Sequence, residues 1–183
     1  GASASASTAE KVRRAAEELG YRPNVLARAM VSGRSRMIGL VVAYLDNQFY
    51  PVAIQRLSAA LQARGYHILL IMAKNATERV ETLMQDLMAY QVEGIITASV
   101  AMTSDLTERC AALGIPVVMF NRGQDGSGLS SVTSANVEGG RKVAEFLIAG
   151  GHERIAHIAG WQGASTGLDR ARGFLEGMEA AGR

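Results

Sequence analysis

From Met37 onward the chain alternates two hydrophobic patterns. Nearly continuous apolar runs occur at 37–45 (MIGLVVAYL), 66–73 (YHILLIMA), 92–99 (VEGIITAS) and 115–121 (IPVVMFN). Between them, apolar residues recur every three or four positions at 51–65, 77–91 and 104–114. Short runs rich in β-branched residues read as strands buried on both faces, and the periodic stretches read as amphipathic helices. The first helix carries Val52, Ile54, Leu57 and Leu61 on one side and ends at Gly65; the second carries Val80, Leu83, Met84, Leu87 and Met88. Methionine at helical spacing reads as core packing. Strand–helix–strand alternation with short connections predicts an α/β fold: a doubly wound parallel sheet with right-handed crossovers over 37–123.

QDGSGLS (124–130) reads as a loop, after which a second set opens. It comprises a short strand SSVTS, a helix over 136–150, a strand RIAHIAG over 154–160 and a helix over 165–181. The span 124–183 is thus half of a second sheet. On this pattern the chain is a fragment, or its missing strands come from another chain by swapping.

Upstream of Met37 the pattern changes. After a Ser/Ala tract at 1–7, Ser7 or Thr8 caps a helix, with Ser7 and Glu10 at capping-box spacing. Val12, Ala15, Ala16 and Leu19 form its apolar stripe and Gly20 ends it, so 1–20 reads as a tail and one helix. Residues 21–36 begin with Pro23, which biases Arg22 towards extended geometry, and Asn24, a good N-cap. Val25, Leu26, Ala29 and Met30 lie on one face of about two turns, stopped at Gly33 and surrounded by Arg28, Arg34 and Arg36. So short a helix is marginal alone in water and needs a partner surface. By composition the stretch also fits a solvated interdomain linker.

Charge sharpens the contrast between the two regions. Residues 1–36 carry seven basic and three acidic side chains, whereas the remainder carries twelve basic and fourteen acidic, within a net charge of +2. A basic arm on a slightly acidic body points to a polyanionic partner at the N-terminal end. Composition is otherwise that of a globular protein, 48% apolar and 20% charged. The single cysteine, Cys110, excludes an internal disulfide and is compatible with a reducing compartment. No apolar run approaches the roughly 18 residues of a membrane span, and no apolar signal segment is visible.

The segment AAEELGYRPNVLARAM followed by IGLVV resembles the hinge of the lactose-repressor/galactose-repressor (LacI-type) family of bacterial transcription regulators, whose pattern runs close to LGY-x-PN-x-x-A-R-x-L, then I-G. The match is contiguous over some twenty positions. The resemblance implies a periplasmic-binding-protein-like effector domain, operator DNA as partner, a homodimer and a cytoplasmic location. It makes 1–20 the last helix of a DNA-binding headpiece and 21–36 the hinge, with Asn24, Ala27, Arg28, Met30 and Arg34 as its DNA-binding residues. Met30 stands at the usual leucine position and would wedge between base steps in the minor groove. The helix-turn-helix that precedes such a helix in the family is absent from this sequence, so weak, salt-sensitive DNA binding is expected of this chain.

In open parallel sheets ligands bind beyond the carboxyl ends of the strands. The loop YLDNQFYP, after the first strand, is the richest of these ends: Asp46 and Asn47 offer hydrogen bonds, and Phe49 and Tyr50 offer aromatic faces suited to sugars or planar bases. Phe49 and Tyr50 could instead pack the next helix. The resemblance implies further cleft residues: Asn121 and Arg122 after the fourth strand, Arg141 in the helix after VTSANVEGG, and Thr166 and Arg170 in STGLDRARGF. Arg141 and Arg170 also read as surface or helix-pairing charges. The effector so implied is a sugar or sugar derivative, and less readily a purine or nucleoside.

Catalytic and cofactor signals are missing: there is no Walker loop, no G-x-G-x-x-G after a strand, no G-x-S-x-G elbow, and no metal spacing among His67, His152 and His157. The reading is an effector-responsive DNA-binding repressor, without cofactor or metal and not an enzyme. Its rivals are a periplasmic-type sugar-binding protein, a doubly wound hydrolase for which only Asp46 is on offer, and a structural dimer partner with a degenerate cleft.

Overall fold

The apolar run at 37–45 becomes an interior strand of a parallel sheet. In the computed structural model, which describes residues 4–22, 29, 31–73, 77–100, 102–124 and 126–183, five strands form: β1 (Met37–Val42), β2 (His67–Met72), β3 (Gly94–Ala98), β4 (Val117–Phe120) and β5 (Ser130–Val132). Their order is β2-β1-β3-β4-β5 and every pairing is parallel, with Leu40 opposite Leu70 on one side and Ile96 on the other. Helices α2 (Phe49–Gln62), α3 (Thr77–Ala89) and α4 (Ser104–Ala112) make the crossovers.

Alternation along the strands builds two apolar layers. Val41, Ile95 and Val117 face Met84 and Leu87 of α3 and Leu106 and Cys110 of α4. Leu40, Val42 and Ala98 face the other way, onto Tyr50, Ile54 and Leu57 of α2. Both faces of β1 are therefore covered, which is why its sequence is continuously apolar. The Cys110 thiol is buried in this layer, and burial raises its pKa above its ordinary value.

The turns between helix and strand repeat one device. At the end of α2 the Gly65 N–H donates to the Gln62 carbonyl and the Tyr66 N–H to the Leu61 carbonyl, with Gly65 at φ +76°. This Schellman closure reverses the chain in two residues and delivers it directly into β2.

The compact units divide at Ser35/Arg36. In the first, α1 (Ala6–Glu18) is capped by Ser5, whose Oγ accepts from the Thr8 N–H at 3.2 Å; the cap falls before Ser7 and Thr8, because Ser5 takes the extended geometry a cap requires. Its expected stripe is uncovered: Val12 and Leu19 are exposed and no α1 residue is buried. Gly33 (φ +66°) closes a turn on the Ala29 carbonyl at 2.8 Å, as expected of a helix stop.

Two expectations for the second half are corrected. Ser130–Val132 does not open a second sheet but extends the first, pairing with Val118–Phe120 of β4. Residues 154–160 form no strand: Ile158 is 96% exposed, and no described strand lies alongside to accept a ladder. The helices α5 (Asn136–Ala149) and α6 (Ser165–Ala180) form as expected and pack on each other.

Candidate binding site at the strand ends

The sheet order reverses direction at β1 and β3, so the loops leaving their carboxyl ends depart to opposite faces and open a crevice between them. Tyr50, in the first turn of α2, closes the crevice from below. Its ring is only 1% exposed, packed with Leu40, Val42 and Ala98, and its hydroxyl meets the Ser99 hydroxyl and accepts from Asn121 Nδ2 at 2.8 Å. Ser99 and Asn121 end β3 and β4 in left-handed backbone geometry, at φ +59° and +57°. Such geometry costs of order 1–3 kcal/mol per non-glycine residue and persists where surrounding bonds over-determine it. The shared Tyr50 hydroxyl supplies those bonds.

Aromatic surface continues outward from this anchor. Tyr44 meets Tyr50 edge-on with centroids 5.1 Å apart, and its hydroxyl pKa is held above the ordinary tyrosine value, first by hydrogen bonding with Tyr50 and then by burial. Phe49 also meets Tyr50 edge-on at 5.3 Å, stacks on Phe120 at 5.7 Å and 10°, and keeps 42% of its surface exposed. Asp46 is exposed beside them. The Asn47 carbonyl oxygen accepts from the Phe49 N–H at 2.8 Å, so that side chain is engaged in turning the chain into α2.

The segment after β4 is tied at four successive residues. Asn121 holds Tyr50. Arg122 donates to the Ser99 carbonyl at 3.5 Å and to the Gly163 carbonyl, and its guanidinium carbon lies 5.2 Å from the Trp161 ring centre. An exposed cation–π contact of this kind is worth about 0.5–1 kcal/mol. The Gly123 N–H donates to Ser165 Oγ at 3.0 Å. The Gln124 side chain exchanges two hydrogen bonds with the Met102 main chain, at 3.0 and 3.3 Å, as a neighbouring strand would. These bonds join the ends of β3 and β4 to the loop that starts α6.

Beyond that loop the expected residues diverge. Thr166 is half-buried in the first turn of α6, and Arg170 Nε donates to the buried Asn136 Oδ1 at 2.9 Å. Arg141 pairs with Glu138 at 3.4 Å and Glu176 at 3.0 Å, linking α5 to α6 and not reaching towards the strand-end loops through these pairs. The structure thus brings Phe49, Tyr50, Asn121 and Arg122 together, leaves Asp46 at their margin, gives Asn47 a turn role and gives Arg141 a helix-pairing role. Asn24, Ala27, Arg28 and Met30 lie outside the described residues; Arg34 is exposed, and its N–H donates to Ser32 Oγ at 3.2 Å.

The bonds also draw in Ser99, Trp161, Ser165 and Asn136. Ser99 follows β3 and Ser165 begins a helix after a glycine-containing loop, so position alone points to those two, whereas Trp161 follows residues that form no strand. Asn136 carried no such signal. Among the described residues no group of three or more His, Cys, Asp or Glu could hold a metal ion, and no helix is long and apolar enough to cross a membrane.

Comparison with known proteins agrees with this fold. Residues 35–183 match the family described as periplasmic binding proteins and sugar binding domain of the LacI family. The chain is 34% identical over 185 residues to the HTH-type transcriptional regulator CelR of Thermobifida fusca, covering 97% of this chain and 54% of that protein. Among solved structures, a transcriptional regulator CelR–cellobiose complex superposes with a TM-score of 0.71 at 32% identity, over 98% of this chain and 54% of that one. The lac repressor dimer bound to operator and the anti-inducer ONPF superposes with a TM-score of 0.83 over 98% of this chain and 55% of that one, a likeness of fold at 23% identity. The chain spans about half the length of the curated relatives it matches.

Proposed function

The chain belongs to the family of periplasmic binding proteins and LacI-type sugar-binding domains, and on that premise we propose that it is the effector-sensing part of a DNA-binding transcription repressor. The observation that carries this reading is the strand-end cluster. A buried hydroxyl network under an aromatic surface, with an arginine at its edge, is chemistry for recognising a small polyhydroxylated ring. Nothing in the cluster resembles a nucleophile with a base or a pair of catalytic carboxylates, so the reading is of a binder and not an enzyme.

In this proposal the effector is a sugar or sugar derivative. Asp46, Phe49, Arg122, Thr166 and Arg170 contact it, while Tyr50 and Asn121 hold the loops in place from beneath. The first effector subdomain runs from Met37 through β5, and α5 and α6 belong to the second. Residues 21–36 join this body to operator DNA in a cytoplasmic homodimer, with Arg34 among the cations facing phosphate. Effector binding moves the subdomains and biases the hinge, a coupling of typically about 1–3 kcal/mol. CelR bound to cellobiose makes a disaccharide the first ligand to try.

Calorimetry of the 183-residue chain against cellobiose, ribose, gluconate and hypoxanthine tests the effector reading. One sugar is expected to bind, and Arg122→Gln is expected to weaken it at least tenfold. Binding of hypoxanthine alone would redirect the reading to purines, and silence from all four would remove it. An operator shift assay on the full-length protein, with and without the bound sugar, tests the coupling.

A further inference from the structure

Trp161 is 71% exposed, yet two features hold its indole in place and a third fixes its main chain. Arg122 lies over the ring at 5.2 Å, with its guanidinium also bonded to the Gly163 carbonyl. Gly163 lies so close to the six-membered ring that a β-carbon there would collide with it, coming within 2.9 Å even of its outermost atom. A β-carbon at Gly167 would come within 2.9 Å of the Trp161 carbonyl oxygen, so the loop can close on α6 only over a glycine. A large apolar ring left in water is unfavourable, and an indole left to itself would fold onto the nearest apolar surface. Here the backbone is shaped to keep it out, and the cation over it comes from the end of β4.

We propose that Trp161 is the stacking platform of the effector site, and that Arg122 is its ligand-displaceable cover. The ligand is a pyranose or furanose ring. Its apolar face lies on the indole, and its hydroxyl or anionic oxygens accept from Arg122 in place of the Gly163 carbonyl. The exchange is favourable because the ligand's oxygens replace the carbonyl acceptor that Arg122 gives up, while the ring removes exposed indole surface from water. This rests on the effector reading above and adds to it a residue outside the expected set, on the loop across the cleft from Phe49.

Trp161 is the single tryptophan of the chain, so its emission reports on this contact without labelling. In the unliganded chain, Arg122→Gln is expected to change Trp161 emission and acrylamide quenching; an unchanged spectrum with an intact fold by circular dichroism overturns the cover. For any sugar that calorimetry shows to bind, emission is expected to shift with the same midpoint and quenching is expected to fall. Trp161→Ala should weaken that sugar at least tenfold, Trp161→Phe should retain it within about threefold, and Gly163→Ala should weaken it without touching the indole's chemistry. A sugar that binds with a silent Trp161 and equal affinity for Trp161→Ala overturns this proposal and leaves the effector reading standing. Absence of calorimetric binding by every sugar overturns both. Comparing glucose with glucose 6-phosphate separates hydroxyl from anionic oxygens as the acceptors for Arg122.

Discussion

The sheet and the α5–α6 pair are held together in opposite ways. In the sheet, large side chains fill the space: Leu40, Val41, Val42, Tyr50, Met84, Leu87 and Ile95 are all almost fully buried. In the helix pair the buried residues apart from Phe174 are small or polar, Asn136, Gly140 and Ala144 on α5 and Gly173 and Gly177 on α6. Four of its large apolar side chains, Val143, Phe146, Leu168 and Leu175, are exposed instead. The sheet gains from the volume it buries, and the pair gains from letting two backbones touch. One region should therefore tolerate small changes by repacking, and the other should not, because a carbonyl cannot change rotamer.

Gly173→Ala is the strongest way to break the comparison. A β-carbon there would fall on the Val137 carbonyl and within 2.9 Å of the Val137 α-carbon, so the helices must separate. We expect a loss of about 3 kcal/mol or more in urea unfolding followed by circular dichroism, with a fall in α-helical signal before the sheet unfolds. A loss under about 1 kcal/mol would mean that the pair has side-chain slack after all. Tyr50→Phe comes next: it leaves the Asn121 amide and the Ser99 hydroxyl without their shared partner, at a cost of about 1–3 kcal/mol by the same measurement. Gly39→Ala sharpens the contrast from the other side. Its β-carbon would lie 2.8 Å from Leu87 Cδ1, the mobile end of a side chain. Repacking and the lower chain entropy of alanine should hold the net loss to about 1 kcal/mol, well under that of Gly173→Ala at a similarly buried glycine.

The same division explains what was legible in the sequence. Continuous apolar runs and helical periodicity reflect burial of side chains, so all four strands and three helices between Met37 and Asn121 could be placed, the helix ends within two or three residues. The close approaches of Gly140 to the Arg170 main chain and of Gly173 to the Val137 main chain are written in residues with no side chain, and no hydrophobic pattern could announce them. The strand over 154–160 was misplaced for a related reason: apolar alternation promises a strand only if a neighbour offers its main chain, and among the described residues none does. At the site, Phe49, Tyr50, Asn121 and Arg122 were found from chain position and resemblance. The tie from Gly123 to Ser165 uses a backbone N–H, which every residue but proline carries, and so left no mark. Arg141 showed the limit of resemblance, since a charge in the right helix was already satisfied by Glu138 and Glu176.

The smallest expected effect belongs to that charge network, and its pH dependence separates it from the glycine contact. The Glu138 carboxyl is held below its ordinary value, chiefly by its hydrogen bond to Lys142, then by the Lys142 charge and more weakly by Arg141. A carboxyl with a lowered folded-state pKa contributes stability that is present above its unfolded value and lost as the pH falls through the folded one. Because the groups are exposed, Glu138→Gln should leave the melting midpoint at neutral pH nearly unchanged. It should, however, flatten the decline of that midpoint between neutral pH and about pH 3, where carboxylates protonate. Gly173→Ala should instead lower the midpoint by the same amount at every pH. If Glu176→Gln, which removes the ion pair joining Arg141 of α5 to α6, lowers the neutral midpoint as far as Gly173→Ala does, then charge and not backbone contact holds α5 against α6, and the contrast with the sheet fails.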